Sequence, residues 1–257
     1  MNIKTLIAYL IVFYFLLIFL ILLSATGSVN WKPTQDDAKY PMHLPDFSIY
    51  EDAKLKKSAF FEFLDPVVEE ANREIKQERI LFSYIKKQIE NSKRLSARTQ
   101  RQFAVLKKKY KIKKADPLED QLRVLDLRIN TVPKALVLIQ AANESAWGTS
   151  RFAQEANNLF GQWCFSKGCG VVPANRVDGA KHEVQRFDNI YDSVVAYLRN
   201  INTHQAYRNL RKRRLELVKS GDEISAQHLV NELGSYSERG EDYIKDIRQM
   251  ILMNNLE

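Results

Sequence analysis

One acid interrupts the most apolar stretch in the body of this chain. Glu144 stands in NESAWGTS, residues 143–150, just after a run that is apolar on nearly every face from Ala135 to Ala142. A carboxyl in that place has reasons to keep its proton. Burial against Trp147 and the alanines disfavours the anion. The negative end of a helix dipole does the same in the last turn. No basic residue lies in the preceding turn to offset them, although Arg151 could fold back. A carboxylic acid that stays protonated near neutrality can act as a general acid. The bland alternative is a glutamate that turns to solvent at a helix end.

The elements that must position this acid are mostly helical. In TVPKALVLIQAANESAW, Thr131 or Val132 opens a helix, Pro133 fits its first turn and Gly148 follows its end. A helix apolar all round is a central one. Before it, Phe60, Phe61, Phe63 and Leu64, then Val67, Val68, Ala71 and Ile75, recur at helical spacing, and Pro66 is placed to start the second of two helices. Ser96 caps a helix with Phe103, Leu106 and Tyr110 as its stripe, and Asp116 caps another with Pro117 at its first position. After Glu144 a helix begins near Ser150, GQWCFSKGCGVVP is a loop or irregular hairpin arm, and residues 180–187 are the best strand candidate. Helices resume from Asn189 to the end. The class is mainly α, with a minor β part.

Composition sets the surroundings. Residues 6–23 carry no charge, and eighteen such residues rise about 27 Å as a helix, close to a bilayer's hydrocarbon thickness. The run reads as a transmembrane signal anchor over residues 1–25, with cleavage near Ala25 or Gly27 as the alternative. Lys4 precedes it and little base follows closely, which points the body outward, to the periplasm or cell exterior. Residues 26–50, with Pro33, Pro41 and Pro45, read as a linker, and 51–128 as a helical extension. The net charge of +8 comes in blocks such as KKKYKIKK (107–114) and RNLRKRR (208–214). On an exported chain these suit anionic lipid or an anionic wall polymer rather than nucleic acid, or they are simply solvated helix faces. Cys164 and Cys169 in CFSKGC read as a disulfide outside the cytosol, with free thiols as the alternative. Two cysteines are too few for a structural zinc site, so no metal or cofactor is expected.

LIQAANESAWGTSRFAQEANNLFGQWCF resembles the signature of the bacterial glucosaminidase family, which includes flagellar rod-associated wall hydrolases. The matching residues are Glu144, Ser145, Trp147, Gly148 and Ser150, then Asn158, Leu159, Phe160 and Gly161. HEVQRF, YDSVVAYLRN and YSERGEDYIKDI continue the likeness, which spans about residues 130–255. KSAFFEFLDPVVEEANREI resembles the N-terminal helical part of Bax-type, membrane-associated members. The resemblance implies a lysozyme-like α+β fold over 129–257: a helical body, a β-hairpin lobe and a cleft between them. It implies hydrolysis of β-1,4 bonds in peptidoglycan glycan strands on the N-acetylglucosamine side, with Glu144 as general acid. Glu183 would be the opposite-face general base, or a plain solvated strand acid. Tyr236 would position the substrate's N-acetyl group, or merely pack. Phe160 and Trp163 would line the cleft beside Trp147, or belong to the core, and Asn157 and Asn158 would bond sugar hydroxyl or acetamido groups. Leu159 reads as core.

Other readings trail. HEVQR begins like a zinc-protease helix, but Arg186 stands where the second histidine belongs. No nucleophile elbow or phosphate loop is present. A Cys164–His182 peptidase would need a free Cys164. A muramidase or lytic transglycosylase would share the scaffold and the acid. A non-catalytic wall-binding protein has no need of a buried acid that costs stability.

Overall fold

The structure, a computed structural model, describes residues 40–256 apart from 175, 177 and 178. The apolar run at 6–23 lies outside the described residues, among which no helix is long and apolar enough to cross a membrane. The described residues belong to one compact unit.

Helix α1 (Ala53–Glu90) starts on the Asp52 side chain, which accepts from the Lys54 and Leu55 amides. It is one helix of 38 residues with Pro66 inside it, not two helices divided there. An interior proline costs about 3 kcal/mol. Phe60, Leu64, Val67, Val68, Ala71 and Ile75 form one buried stripe across it, and their shared packing holds the helix continuous. That stripe meets α4 (Lys134–Glu144) and α6 (Ile190–Thr203), and α4 also packs on α9 (Glu241–Met253). The expected break between 128 and 129 is therefore no division of the core, because Phe60 and Leu64 share a cluster with Leu136, Ile139 and Ile247.

A second, smaller cluster caps the far end of α1. Leu81, Phe82 and Ile85 pack with Phe103, Leu106 and Tyr110 of α2 (Ala97–Lys109) and its end, and with Leu122 and Leu125 of α3 (Leu118–Arg128). Ser96 caps α2 as its position suggests, whereas α3 begins after Pro117 with no side-chain cap, so Asp116 does not serve it. Buried Arg214 from α7 (Arg208–Ser220) joins this cluster to the body. It donates to the carbonyls of Leu127 (3.0 Å), Asn130 (3.2 Å) and Thr131 (2.8 Å), and to Asn202 Oδ1 (2.8 Å). Arg211 donates likewise to the Ile201 and His204 carbonyls. Two arginines of the RNLRKRR block are thus buried connectors, not surface charge.

The end of the expected linker is docked as well. Leu44 and Phe47 are buried, and Tyr40 stacks on Tyr191 with centroids 4.0 Å apart. Asn157 Nδ2 donates to the Met42 carbonyl and Gln154 Nε2 to that of Pro45. The short helix α5 (Arg151–Ala156), capped by Ser150, leads into the sheet, and α8 (Ala226–Leu229) precedes a 3-10 turn at Val230–Leu233. β1 (Trp163–Cys164) and β2 (Gly170–Val171) both pair antiparallel with β3 (Glu183–Gln185), which lies between them. The strand expected at 180–187 is the centre of this sheet, and the glycine-rich segment supplies both neighbours. The Cys164–Cys169 disulfide closes the β1–β2 loop.

Past α4 the chain turns through Ala146, Trp147 and Gly148, with φ of +50°, +59° and +77°. A Cβ on Gly148 would lie 2.7 Å from Phe47 Cδ2. Gly148→Ala is expected to cost about 1–3 kcal/mol from overpacking and strained backbone, read as a lower urea midpoint. An unchanged midpoint would mean that residues 44–47 do not seat on this turn in solution.

Candidate active site

Helix α4 sets Gln140 and Glu144 four residues apart, on one face. Gln140 is fully buried and Glu144, the last helical residue, is half-buried. Helix α9 brings Tyr243 to both: its hydroxyl is 2.9 Å from Gln140 Nε2 and 3.1 Å from Glu144 Oε1. Tyr197 of α6 donates to Gln140 Oε1. These bonds run one way. Tyr197 gives its proton to the amide oxygen, the amide nitrogen gives to Tyr243, and Tyr243 has only its own proton left, for Glu144. Asn143 Nδ2 also donates to Glu144 Oε1 at 3.1 Å. Oε1 is thus the accepting oxygen, and a proton on this carboxyl belongs on Oε2.

Tyrosines surround the acid. Tyr236 stacks on Tyr243 with centroids 5.4 Å apart and lies 6.5 Å from Tyr197 and 6.1 Å from Tyr207. Burial raises the Glu144 pKa, against the lowering effect of the Asn143 and Tyr243 bonds. Burial, and then the nearby Glu144 charge, pushes Tyr207 up to about 12. Burial among the same rings carries Tyr236 well above its ordinary value. These hydroxyls keep their protons at any working pH and act as donors.

The other expected site residues divide. Tyr236 lies in the tyrosine cluster, stacked on the Tyr243 that bonds Glu144. Trp147 packs on α1: Phe60 and Phe61 meet its ring edge-to-face, and Lys57 Nζ lies 4.9 Å from the ring centre. Phe160 is buried and stacks on Tyr197 at 4.0 Å, so it supports the tyrosines from the core. Asn157 donates to the Met42 and Phe187 carbonyls. Asn158 donates to the Gln162 and Gln185 carbonyls and accepts from the Phe160 and Gln162 amides. Both amide nitrogens are spent on backbone, not left for a sugar. Trp163 is exposed and stacks on His182 at 4.1 Å, an open apolar platform on the β lobe.

Glu183 is neither a solvated acid nor an open base. It is buried in β3, with Oε1 accepting from the Gly168 amide (3.0 Å) and Oε2 from that of Gly170 (2.9 Å). These bonds hold its pKa below the usual carboxylate value. Glu183→Gln can keep at most one of them, since its amide nitrogen is a donor. The expected result is faster hydrogen exchange at Gly168 and Gly170 with the body unchanged; unaltered exchange there would sink this role.

Gln140, Tyr197 and Tyr243 are not among the site residues that the sequence suggests. Gln140 carried a usable signal, as the single polar residue between Ala135 and Ala142, one turn before the acid.

The glucosaminidase family model, described as mannosyl-glycoprotein endo-beta-N-acetylglucosaminidase, matches residues 126–256. Protein bax of Escherichia coli K12 is 33% identical over 201 residues, covering 78% of this chain and 70% of that protein. No solved structure matches the chain. The matched region contains every residue of the Gln140–Tyr243–Glu144 network, and the likeness to bax reaches beyond it, so the chain belongs to the glucosaminidase family of glycoside hydrolases, as a Bax-type member.

Proposed function

We propose that this protein hydrolyses β-1,4 glycosidic bonds of peptidoglycan on the N-acetylglucosamine side, with Glu144 as the general acid. The observation that carries this reading is the half-buried Glu144 carboxyl, whose Oε1 is occupied by Tyr243 and Asn143, which leaves Oε2 to carry a proton, and whose pKa burial raises. That proton goes to the leaving glycosidic oxygen as positive charge builds at the anomeric carbon.

Glu183 is engaged in its own loop, which favours a mechanism without a second carboxylate. The acetamido oxygen of the substrate attacks the anomeric carbon as the glycosidic bond breaks. Water then opens the cyclic intermediate and returns a proton to Glu144. Tyr236, stacked beside Tyr243, is placed in this reading to donate to the acetamido group. Trp163 offers a flat face to the apolar side of a sugar ring. The acting surface would lie on the outer side of the inner membrane, held there by residues 6–23.

The test is product analysis. Purified peptidoglycan is digested with the full chain in detergent, and the reduced fragments are identified by mass spectrometry. Reduced N-acetylglucosamine ends are expected. Muramic or anhydromuramic ends would move the enzyme to the muramidase or transglycosylase class. No release by a folded chain that binds the polymer would leave a binding protein.

A further inference from the structure

The charge of this protein is gathered in one place. Residues 81–116 hold twelve Lys or Arg and two acids, a net +10 against +8 for the whole chain, so the remaining residues are together slightly acidic at −2. This stretch is the end of α1, helix α2 and the turns around it. Two of its cations have buried or half-buried partners: Lys109 pairs with Glu78 and Lys86 with Asp126. Lys87, Lys93, Arg101, Lys108, Lys113 and Lys114 are exposed. Large apolar side chains stand exposed on the same two helices: Ile80 (62%) and Tyr84 (54%), one turn apart on α1, and Val105 (44%) on α2. Helix α3, beside the end of α1, carries Glu119, Asp120 and Asp126 with Arg123 and Arg128 and adds no net positive charge.

We infer that this satellite is a docking pad for an anionic phospholipid surface. Clustered cations with a few apolar and aromatic side chains among them are what the head-group layer accepts: charge attracts, and short apolar groups enter the boundary. The length of chain ahead of the body favours this occupant. Sixteen residues separate the uncharged run at 6–23 from Tyr40, a reach of at most about 55 Å. Tyr40 is fixed to Glu70 of α1, and α1 runs only about 30 Å from there to its end at Glu90. A bilayer that holds the run is within reach of the pad, so docking is an intramolecular event at high effective concentration. The geometry also has a use. Trp147, three residues from Glu144, packs on Phe60 and Phe61, about 35 Å along α1 from the pad. A docked pad would stand the acid off the bilayer, towards the wall.

The test uses the full chain with a fluorophore on Ala104→Cys, an exposed α2 position; the native cysteines are paired and do not compete. Energy transfer to acceptor-labelled lipid is measured on phosphatidylcholine vesicles and on vesicles with one quarter phosphatidylglycerol. Transfer is expected to be at least about twofold higher on the anionic vesicles at about 50 mM salt, and to fall to the neutral level at about 500 mM. It should also fall to that level in a chain carrying Arg101→Glu, Lys108→Glu and Lys113→Glu. Hydrolysis of soluble glycan fragments, a separate assay, should be unchanged by those three substitutions, so this inference and the catalytic one fail separately. Equal transfer on both vesicle types would overturn the inference. So would charge reversal that abolishes binding to insoluble peptidoglycan but leaves lipid transfer intact, which would assign the pad to the wall polymer.

Discussion

Glu144→Gln is expected to lower kcat/KM on peptidoglycan by about 10³-fold, within the range that a general acid contributes, while stabilising the fold at neutral pH. The two effects have one cause. Burial raises the pKa of this carboxyl above its ordinary value of 4.5. The folded state therefore binds the proton more tightly than the unfolded state does. Below the ordinary value the carboxyl is protonated in both states and burial costs nothing through this group. As pH rises from there through the raised value, folding must keep the proton or desolvate the anion, and stability falls to a lower plateau. Glutamine has the shape of the acid without its charge, and its oxygen can still accept from Tyr243 and Asn143. The variant should thus melt higher than the parent at pH 7 and alike at pH 4. Thermal unfolding at both values, beside release of reducing ends, tests the pair. An inactive variant with no gain at pH 7 would place the parent acid in contact with water. A variant that keeps more than a tenth of the activity would remove Glu144 from the chemistry.

Much of this site could be read from types and spacing, and the failures share a physical origin. The acid, its helix, the disulfide and the strand at 183–185 were legible because each is a local pattern: an apolar run, a close cysteine pair, an alternation. The bonds of Glu183, Asn157 and Asn158 were not legible because a polar residue beside a motif carries no sign of where its bonds go. All three close backbone accounts in the loops around the β lobe, where buried amides and carbonyls must find partners. The packing of Trp147 was not legible because its partners, Phe60 and Phe61, lie more than eighty residues earlier. Pro66 looked like a boundary since local preference favours one there, and a buried stripe running past it on both sides overrode that preference. The basic blocks looked alike in sequence, yet 208–214 turns Arg211 and Arg214 into the core while 107–114 keeps most of its charge outside.

Tyr243→Phe tests whether the acid is aimed or merely buried. The ring is fully enclosed, so phenylalanine keeps the packing and removes one hydroxyl. Glu144 Oε1 then loses its Tyr243 donor, and Gln140 Nε2 loses its acceptor. A hydrogen bond to a charged group contributes about 1.5–3 kcal/mol, so kcat/KM should fall about 10- to 100-fold. Some loss of melting temperature accompanies it, because a buried amide is left unpaired, and that loss alone would say nothing about catalysis. The pH profile does. The Tyr243 bond holds the Glu144 pKa down against burial, so without it the carboxyl should titrate higher and the alkaline limb of kcat/KM should move up. Tyr236→Phe provides the contrast. It removes a hydroxyl from the neighbouring ring but no bond to the carboxyl, so its loss should appear in kcat with the alkaline limb in place. If both variants move the limb alike, the one-way relay from Tyr197 through Gln140 and Tyr243 is not what sets the acid. If only Tyr243→Phe moves it, the buried amide of Gln140 fixes which oxygen of Glu144 carries the proton.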